Sequence, residues 1–223
     1  MTKIYEDDYL LVVDKPSGIA SARLKFDDKE SLSTIVFSQY NEIEKVRGKL
    51  EWEGGLVHRL DTLTSGLVMF CKTQYAYDFI IKEQLQDRFE KKYRAKISPI
   101  EKSDTFINYP YHDVLKTNGT ISSLFRSYGS KGSATRPLLV DKYNKTNSRI
   151  YYTETQVESP NSVICTLSRG FRHQVRCHLA WSGYAIVGDS LYGSITDGPF
   201  GLDAIEISFT HPVTKERMII SKE

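Results

Sequence analysis
His58, Arg59, Asp61, Thr62, Thr64, Ser65 and Gly66 stand within nine residues, and the apolar run Leu67, Val68, Met69, Phe70 follows at once. A carboxylate set between a guanidinium and several hydroxyls has four uses: nucleophile, general base, metal ligand or turn former. Hydroxyl donors can orient such a carboxylate, and a glycine lets another backbone approach it closely. Asp61 is therefore the candidate catalytic residue, with Arg59 beside it. A protein-kinase catalytic loop also carries His-Arg-Asp. Here Leu60 intervenes, no glycine-rich phosphate loop precedes, and no Asp-Phe-Gly follows, so that chemistry is excluded.

Two further groupings could serve the same carboxylate. Tyr93 lies among Lys91, Lys92, Arg94 and Lys96. An aromatic ring interleaved with cations suits stacking on an unstacked base while the cations hold phosphates; a core tyrosine on a strand with polar neighbours outside would read the same way. Within residues 167–193, Arg169, Arg172 and Arg176 follow one another with no acid between them. If 171–182 is helical, Arg172 and Arg176 share one face and Val175 and Leu179 another. The turn at Gly170 leaves the helix N-terminus open to an anion. An arginine on that face could pair with a buried carboxylate and keep it ionised. His173 and His178 do not share a helical face, and no HExxH is present, so they read as hydrogen-bonding histidines rather than metal ligands.

These side chains need elements to hold them. Residues 9–13 and 66–71 read as buried strands, the first ended by the Lys15-Pro16-Ser17-Gly18 turn. The spacing of Tyr75, Phe79, Leu85 and Phe89 predicts a helix over 74–89, and residues 91–97 alternate as a strand does, with Tyr93 and Ala95 on one face. Residues 101–135 are polar with several glycine turns and suggest a hairpin or insertion. Strand-like pieces follow at 136–142, 149–158 and 163–167, then the helix over 171–182, and then Ile205, Ile207 and Phe209 in alternation. Many strands and few helices in irregular order predict an α+β fold on a mixed, mostly antiparallel central sheet with flanking helices.

The gross numbers narrow the class. A chain of 223 residues that is 40% hydrophobic, with 14 Tyr and 10 Phe, can build a sizeable core. No apolar run approaches the roughly 18–20 residues needed to span a bilayer. The N-terminus places acids before a very short apolar run, the wrong order for a secretory signal. Three cysteines without CxxC spacing argue against a disulfide framework or thiolate zinc and for a reducing cytoplasm. Net charge is +2, but Arg88, Lys91, Lys92, Arg94 and Lys96 crowd into nine residues with one acid, and such a stretch can track phosphates or form a solvated face.

Taken together, the motifs resemble the RluA-type family of RNA pseudouridine synthases. HRLDTLTSG at 58–66 matches that family's HRLDxxTSG signature, and the catalytic aspartate of the signature falls on Asp61. YEDDYLLVVDKPSG at 5–18 is similar to its opening segment, with Asp14 where an Asn is common. KKYRA at 91–95 matches the segment of the active-site tyrosine, which falls on Tyr93. GFRHQVR at 170–176 and the stretch to Gly193 resemble the third motif, whose last arginine falls on Arg176; Phe171 occupies the first arginine position and Arg172 comes one later. SFTHPVT at 208–214 is also similar. The match runs in order over about residues 5–215 and leaves 101–150 poorly matched.

The resemblance implies a single catalytic pseudouridine synthase domain over 1–223, with an RNA-binding cleft, a variable polar segment at about 101–150 and no room for an N-terminal S4 domain. It implies isomerisation of specific uridines in ribosomal or transfer RNA, with Asp61 as nucleophile at C1′ or base at C2′. Arg59, Tyr93, Arg172 and Arg176 are the implied substrate-binding residues, Arg176 also keeping Asp61 ionised. No metal, no cofactor, no membrane and no obligate partner beyond RNA are expected, with a monomer as default and the cytoplasm as location. One rival is a non-catalytic RNA-binding or RNA-chaperone protein of the same fold. Another is a carboxylate-dependent hydrolase, which would need a second acid such as Asp189.

Overall fold
The computed structural model describes residues 1–25, 29–100, 113–140, 149–193 and 198–222. Within it the chain forms two compact units, residues 1–91 with 203–223, and residues 92–202. The architecture is α+β, with mostly antiparallel strand pairs and few helices.

In the first unit β1 (Thr2–Glu6) pairs antiparallel with β2 (Leu10–Lys15), and β2 with β3 (Ser65–Cys71). The apolar runs of β2 and β3 are buried residue after residue rather than in alternation, as strands covered on both faces must be. β10 (Leu202–Thr210) runs parallel to the start of β3, Asp203 beside Ser65 and Ala204 beside Gly66, and β11 (Arg217–Ser221) closes against β10. At Gly66 φ is +115°, and a Cβ would lie 2.3 Å from the Ala204 carbonyl oxygen. Only glycine admits that close approach of two strands.

Three helices belong to this unit: α1 (Leu32–Gln39), α2 (Asn41–Glu44) and α3 (Gln74–Leu85). The Ser31 and Thr73 hydroxyls accept from the backbone N–H of Thr34 and Ala76, capping α1 and α3. α3 turns Ala76, Tyr77 and Ile80 into a core with Leu10, Leu67, Met69, Phe89 and Phe209. It ends four residues earlier than its spacing predicts. Asp87 takes a left-handed conformation (φ +59°), Arg88 folds back onto Glu83, and Phe89 reaches the core from beyond the helix, while Tyr75 and Leu85 are exposed.

β4 (Glu90–Pro99) carries the chain into the second unit, burying Tyr93, Ala95 and Ile97 in the expected alternation. There the strand order is β4, β8 (Ser162–Leu167), β7 (Tyr151–Ser159), β5 (Gly119–Tyr128), β6 (Ala134–Leu138), with β9 (Tyr184–Ile186) on β4. β5 and β6 form the hairpin suggested for the polar region; residues 101–112 and 141–148 lie outside the described residues. α4 (Gln174–Trp181) is buried along its whole length. It starts three residues later than expected, because His173 adopts φ +57° and the Gln174 side chain accepts from the Phe171 N–H. Arg172 therefore precedes the helix and does not share a helical face with Arg176. No helix among the described residues is long and apolar enough to cross a membrane.

Candidate active site
The residues from Leu60 to Leu63 have every backbone carbonyl engaged. Ser21 Oγ donates to Leu60 O at 2.8 Å and accepts from Leu60 N at 2.9 Å. Thr64 N donates to Asp61 O, Gly18 N to Thr62 O, and Ser17 Oγ to Leu63 O. Lys15 Nζ adds a second bond to Thr62 O and also reaches Pro16 O and Ile19 O, at 2.9–3.1 Å. The turn after β2 is thus a template on which the Asp61 loop is laid. A loop with its peptide dipoles tied down holds its side chains in one geometry, which is what a reacting carboxylate requires.

Lys15 is fully buried and lies close enough to feel the Asp61 charge. Burial pulls its pKa down to about 8, against the opposing pull of Asp61 and Asp14. Sequence reasoning took this lysine for part of a turn. Its only signal is a lysine at the end of the strand that begins with the apolar run Leu10–Val13, where a chain seldom buries charge without purpose.

Arg59 is exposed and pairs with Glu53 at 3.2 Å. His58, at the head of the loop, accepts from Met69 N at Nε2 (3.4 Å) and packs on Phe89. Burial, with Lys91 near, holds its pKa down at about 3, so the ring is neutral at physiological pH. Ser65 Oγ, one residue beyond Thr64, donates to Asp203.

Tyr93, Arg172 and Arg176 belong to the second unit. Tyr93 is 8% exposed on β4. Arg176 holds Asp189 through two parallel bonds, Nε to Oδ2 at 2.8 Å and Nη2 to Oδ1 at 2.9 Å, with Tyr192 and Phe200 rings against its guanidinium. Asp189 is 1% exposed and also accepts from the N–H groups of Leu191 and Tyr192. A carboxylate this buried and paired bidentately with a guanidinium serves as an anchor for Arg176, which weakens the support for the hydrolase alternative. Arg172 is exposed and donates to Gly132 O at the tip of the β5–β6 hairpin, so the cation displaced by Phe171 ties the hairpin down. His178 sits between Ser123 and Thr153, and His173 bonds Tyr192 Oη; both are hydrogen-bonding histidines. Among the described residues no group of His, Cys, Asp and Glu could hold a metal ion.

The basic stretch at 88–96 is thinner in the structure than in the sequence. Arg88 is engaged by Glu83, Arg94 by Glu158, and Lys91 is buried, which leaves Lys92 and Lys96 on the outward face of β4.

Comparison with known proteins bears on this arrangement. The sequence model of the RNA pseudouridylate synthase family matches residues 9–181, and the chain belongs to that family. A Mycoplasma pneumoniae protein named as an RNA pseudouridine synthase is 28% identical over 96% of this chain and 64% of its own length. Proteins named ribosomal large subunit pseudouridine synthase D are 25% identical in Buchnera aphidicola (98% of this chain, 68% of that one) and 29% identical in Neisseria meningitidis (96% and 55%). The chain thus spans little more than half to two thirds of the length of these relatives. The solved structure of human RNA pseudouridylate synthase domain containing 1 shares the fold, with a TM-score of 0.68 at 18% identity over 100% of this chain and 82% of that one.

Proposed function
We propose that this protein isomerises uridine to pseudouridine in structured RNA, with Asp61 as the residue that begins the reaction. The observation that carries the reading is the Asp61 loop itself, in which each carbonyl from Leu60 to Leu63 accepts a hydrogen bond and a buried lysine lies by the carboxylate. Asp61 either attacks C1′ of the ribose or removes the C2′ proton. Either route breaks the N1–C1′ bond and frees the uracil to rotate. C5 then bonds to C1′, as the Asp61–C1′ bond breaks in the first route or as the proton returns to C2′ in the second; the C5 proton leaves to solvent and N1 gains a proton, so the reaction is balanced without redox chemistry.

In this reading Tyr93 stacks on the uracil, and Arg176, fixed by Asp189, is a substrate-binding residue. Arg59 holds the RNA backbone or fills the gap left by the flipped nucleotide. Arg172 acts on RNA through the hairpin it braces. Relatives named for the ribosomal large subunit point to ribosomal RNA of that subunit as the first substrate to test and transfer RNA as the second. The protein works in the cytoplasm as a single polypeptide.

The test is release of tritium from RNA labelled at uridine C5. Wild type should release label from large-subunit ribosomal RNA. Asp61→Asn keeps size and shape but loses charge and basicity, so release should vanish while RNA affinity changes by less than roughly 1 kcal/mol. A folded Asp61→Asn protein that releases label at the wild-type rate overturns the assignment. RNA binding by wild type without any release would instead favour the non-catalytic alternative.

A further inference from the structure
We infer that Lys222 is a positioning residue for the reaction, clamping the floor of the Asp61 loop through two carboxylates. The inference rests on the assignment of Asp61 and adds to it a lysine outside every motif singled out in the sequence.

Lys222 Nζ lies 2.9 Å from Asp14 Oδ1 and 2.8 Å from Asp203 Oδ1. Its side chain is 15% exposed and each carboxylate 31%. Two carboxylates that both touch one nitrogen are close enough to repel each other strongly once that nitrogen is removed. The backbone N–H of Lys222 continues the β10–β11 pairing by donating to Ile205 O, so the ammonium is delivered by a fixed strand. Burial disfavours its charge, and the hydrogen bonds it donates to Asp203 and Asp14 more than compensate, which raises its pKa.

What the two carboxylates hold gives the clamp its meaning. Asp14 immediately precedes Lys15 and the Pro16–Gly18 turn, the template that takes the carbonyls of Thr62 and Leu63. Asp203 Oδ1, the same oxygen that meets Lys222, accepts from Ser65 Oγ at 2.7 Å. Ser65 and Gly66 are where the loop leaves Asp61 and enters β3, and there β3 touches β10 so closely that no Cβ fits. One ammonium therefore ties the strand that supports the loop to the strand into which the loop runs. Without it, two repelling carboxylates sit at both ends of a loop whose geometry sets the position of Asp61. Lys222 reaches the base of the loop through two partly exposed carboxylates that are themselves tied to the loop's supports, so its loss should act on the chemical step rather than on RNA affinity.

The test measures tritium release from RNA with separate kcat and KM, on protein shown to be folded at the assay temperature. Lys222→Met should lower kcat on the order of tenfold with KM within about twofold, as expected when a reacting group is displaced and substrate binding stays intact. Lys222→Arg, which restores the cation, should recover most of the rate. So should Asp14→Asn with Asp203→Asn on the Lys222→Met background, because the repulsion is then gone. Ser65→Ala cuts the link to the loop, leaves the ion pairs in place, and should lower kcat in the same way; it serves as well if Lys222→Met does not fold. Wild-type kcat in folded Lys222→Met or in Ser65→Ala overturns the proposal. A rise in KM alone would make Lys222 an RNA contact and overturn it too. Asp61→Asn assayed alongside separates the two assignments. An active Asp61→Asn refutes the aspartate, whereas an inactive Asp61→Asn with fully active Lys222→Met refutes only the clamp.

Discussion

Replacing Lys91 by Met should make the protein more stable at neutral pH. Lys91 is 7% exposed on β4, its ammonium lies 5.4 Å from the centroid of the Phe89 ring, and among the described residues no carboxylate or other acceptor meets it. Burial alone lowers its pKa from 10.5 to about 8. At 1.36 kcal/mol per unit, the charged form carries a penalty of about 3 kcal/mol at pH 7. The contact with Phe89 returns about 1 kcal/mol of that. Methionine is unbranched and of similar length, so the space stays filled, and the net gain should be about 2 kcal/mol.

The pH dependence isolates the cause. Below pH 8 the lysine is protonated in both folded and unfolded chains, and the whole penalty is present. Between pH 8 and 10.5 the unfolded chain binds more protons than the native one, so wild-type stability rises with pH. Above 10.5 the penalty is gone. The advantage of Lys91→Met should therefore be full at pH 7 and shrink through that window. Lys15 has a similarly depressed pKa, but it is present in both proteins and cancels in the difference. Urea unfolding of the two proteins at pH 7 and at pH 10 reads this directly. A variant less stable than wild type at pH 7, or an advantage that does not shrink at pH 10, would refute the account of Lys91 as an uncompensated buried charge.

Lys15→Met should act in the opposite sense, since it strips a donor from Pro16 O and Ile19 O and one of two donors from Thr62 O; a loss of about 2–4 kcal/mol is expected, seen as a lower urea midpoint at unchanged slope. An unchanged midpoint would mean the ammonium is not needed to hold the template. Charge reversal at Lys92 and Lys96 together should weaken RNA binding across sequences and flatten the log–log salt slope by about 0.7–0.9 for each phosphate no longer neutralised. An unchanged slope would show that the outward face of β4 is only solvated.

What could be read without the structure depended on how local the cause was. β2 and β3 were legible because continuous apolar runs of four or five residues next to turn residues have few other uses, and β4 because its alternation is carried by adjacent residues. The two helices were legible in place but not in extent. Phe89 keeps helical spacing although Asp87 has already turned the chain, and residues 171–173 keep it although His173 has not yet entered the helix. Hydrophobic periodicity reports which residues are buried, and a residue that is buried from outside a helix satisfies it equally well.

The site divides along the same line. The role proposed for Asp61 comes from a motif, while spacing alone leaves it with four uses. The groups that give it a fixed place were not legible, because each is joined to its partner over a long stretch of chain. Lys15 meets Thr62 47 residues away, Ser21 meets Leu60 across 39, Arg172 meets Gly132 across 40, and Lys222 meets Asp14 across 208. The near partners of Lys15, Pro16 O and Ile19 O, are backbone carbonyls, which no residue type announces. A polar residue next to an apolar strand looks like the start of a turn until the fold supplies the oxygen it was placed to meet. The same chemistry that makes such residues costly to bury without partners makes them the parts of this site most sensitive to substitution. That is why Lys15 and Lys222, rather than the exposed arginines, are where the link between fold and reaction should break first.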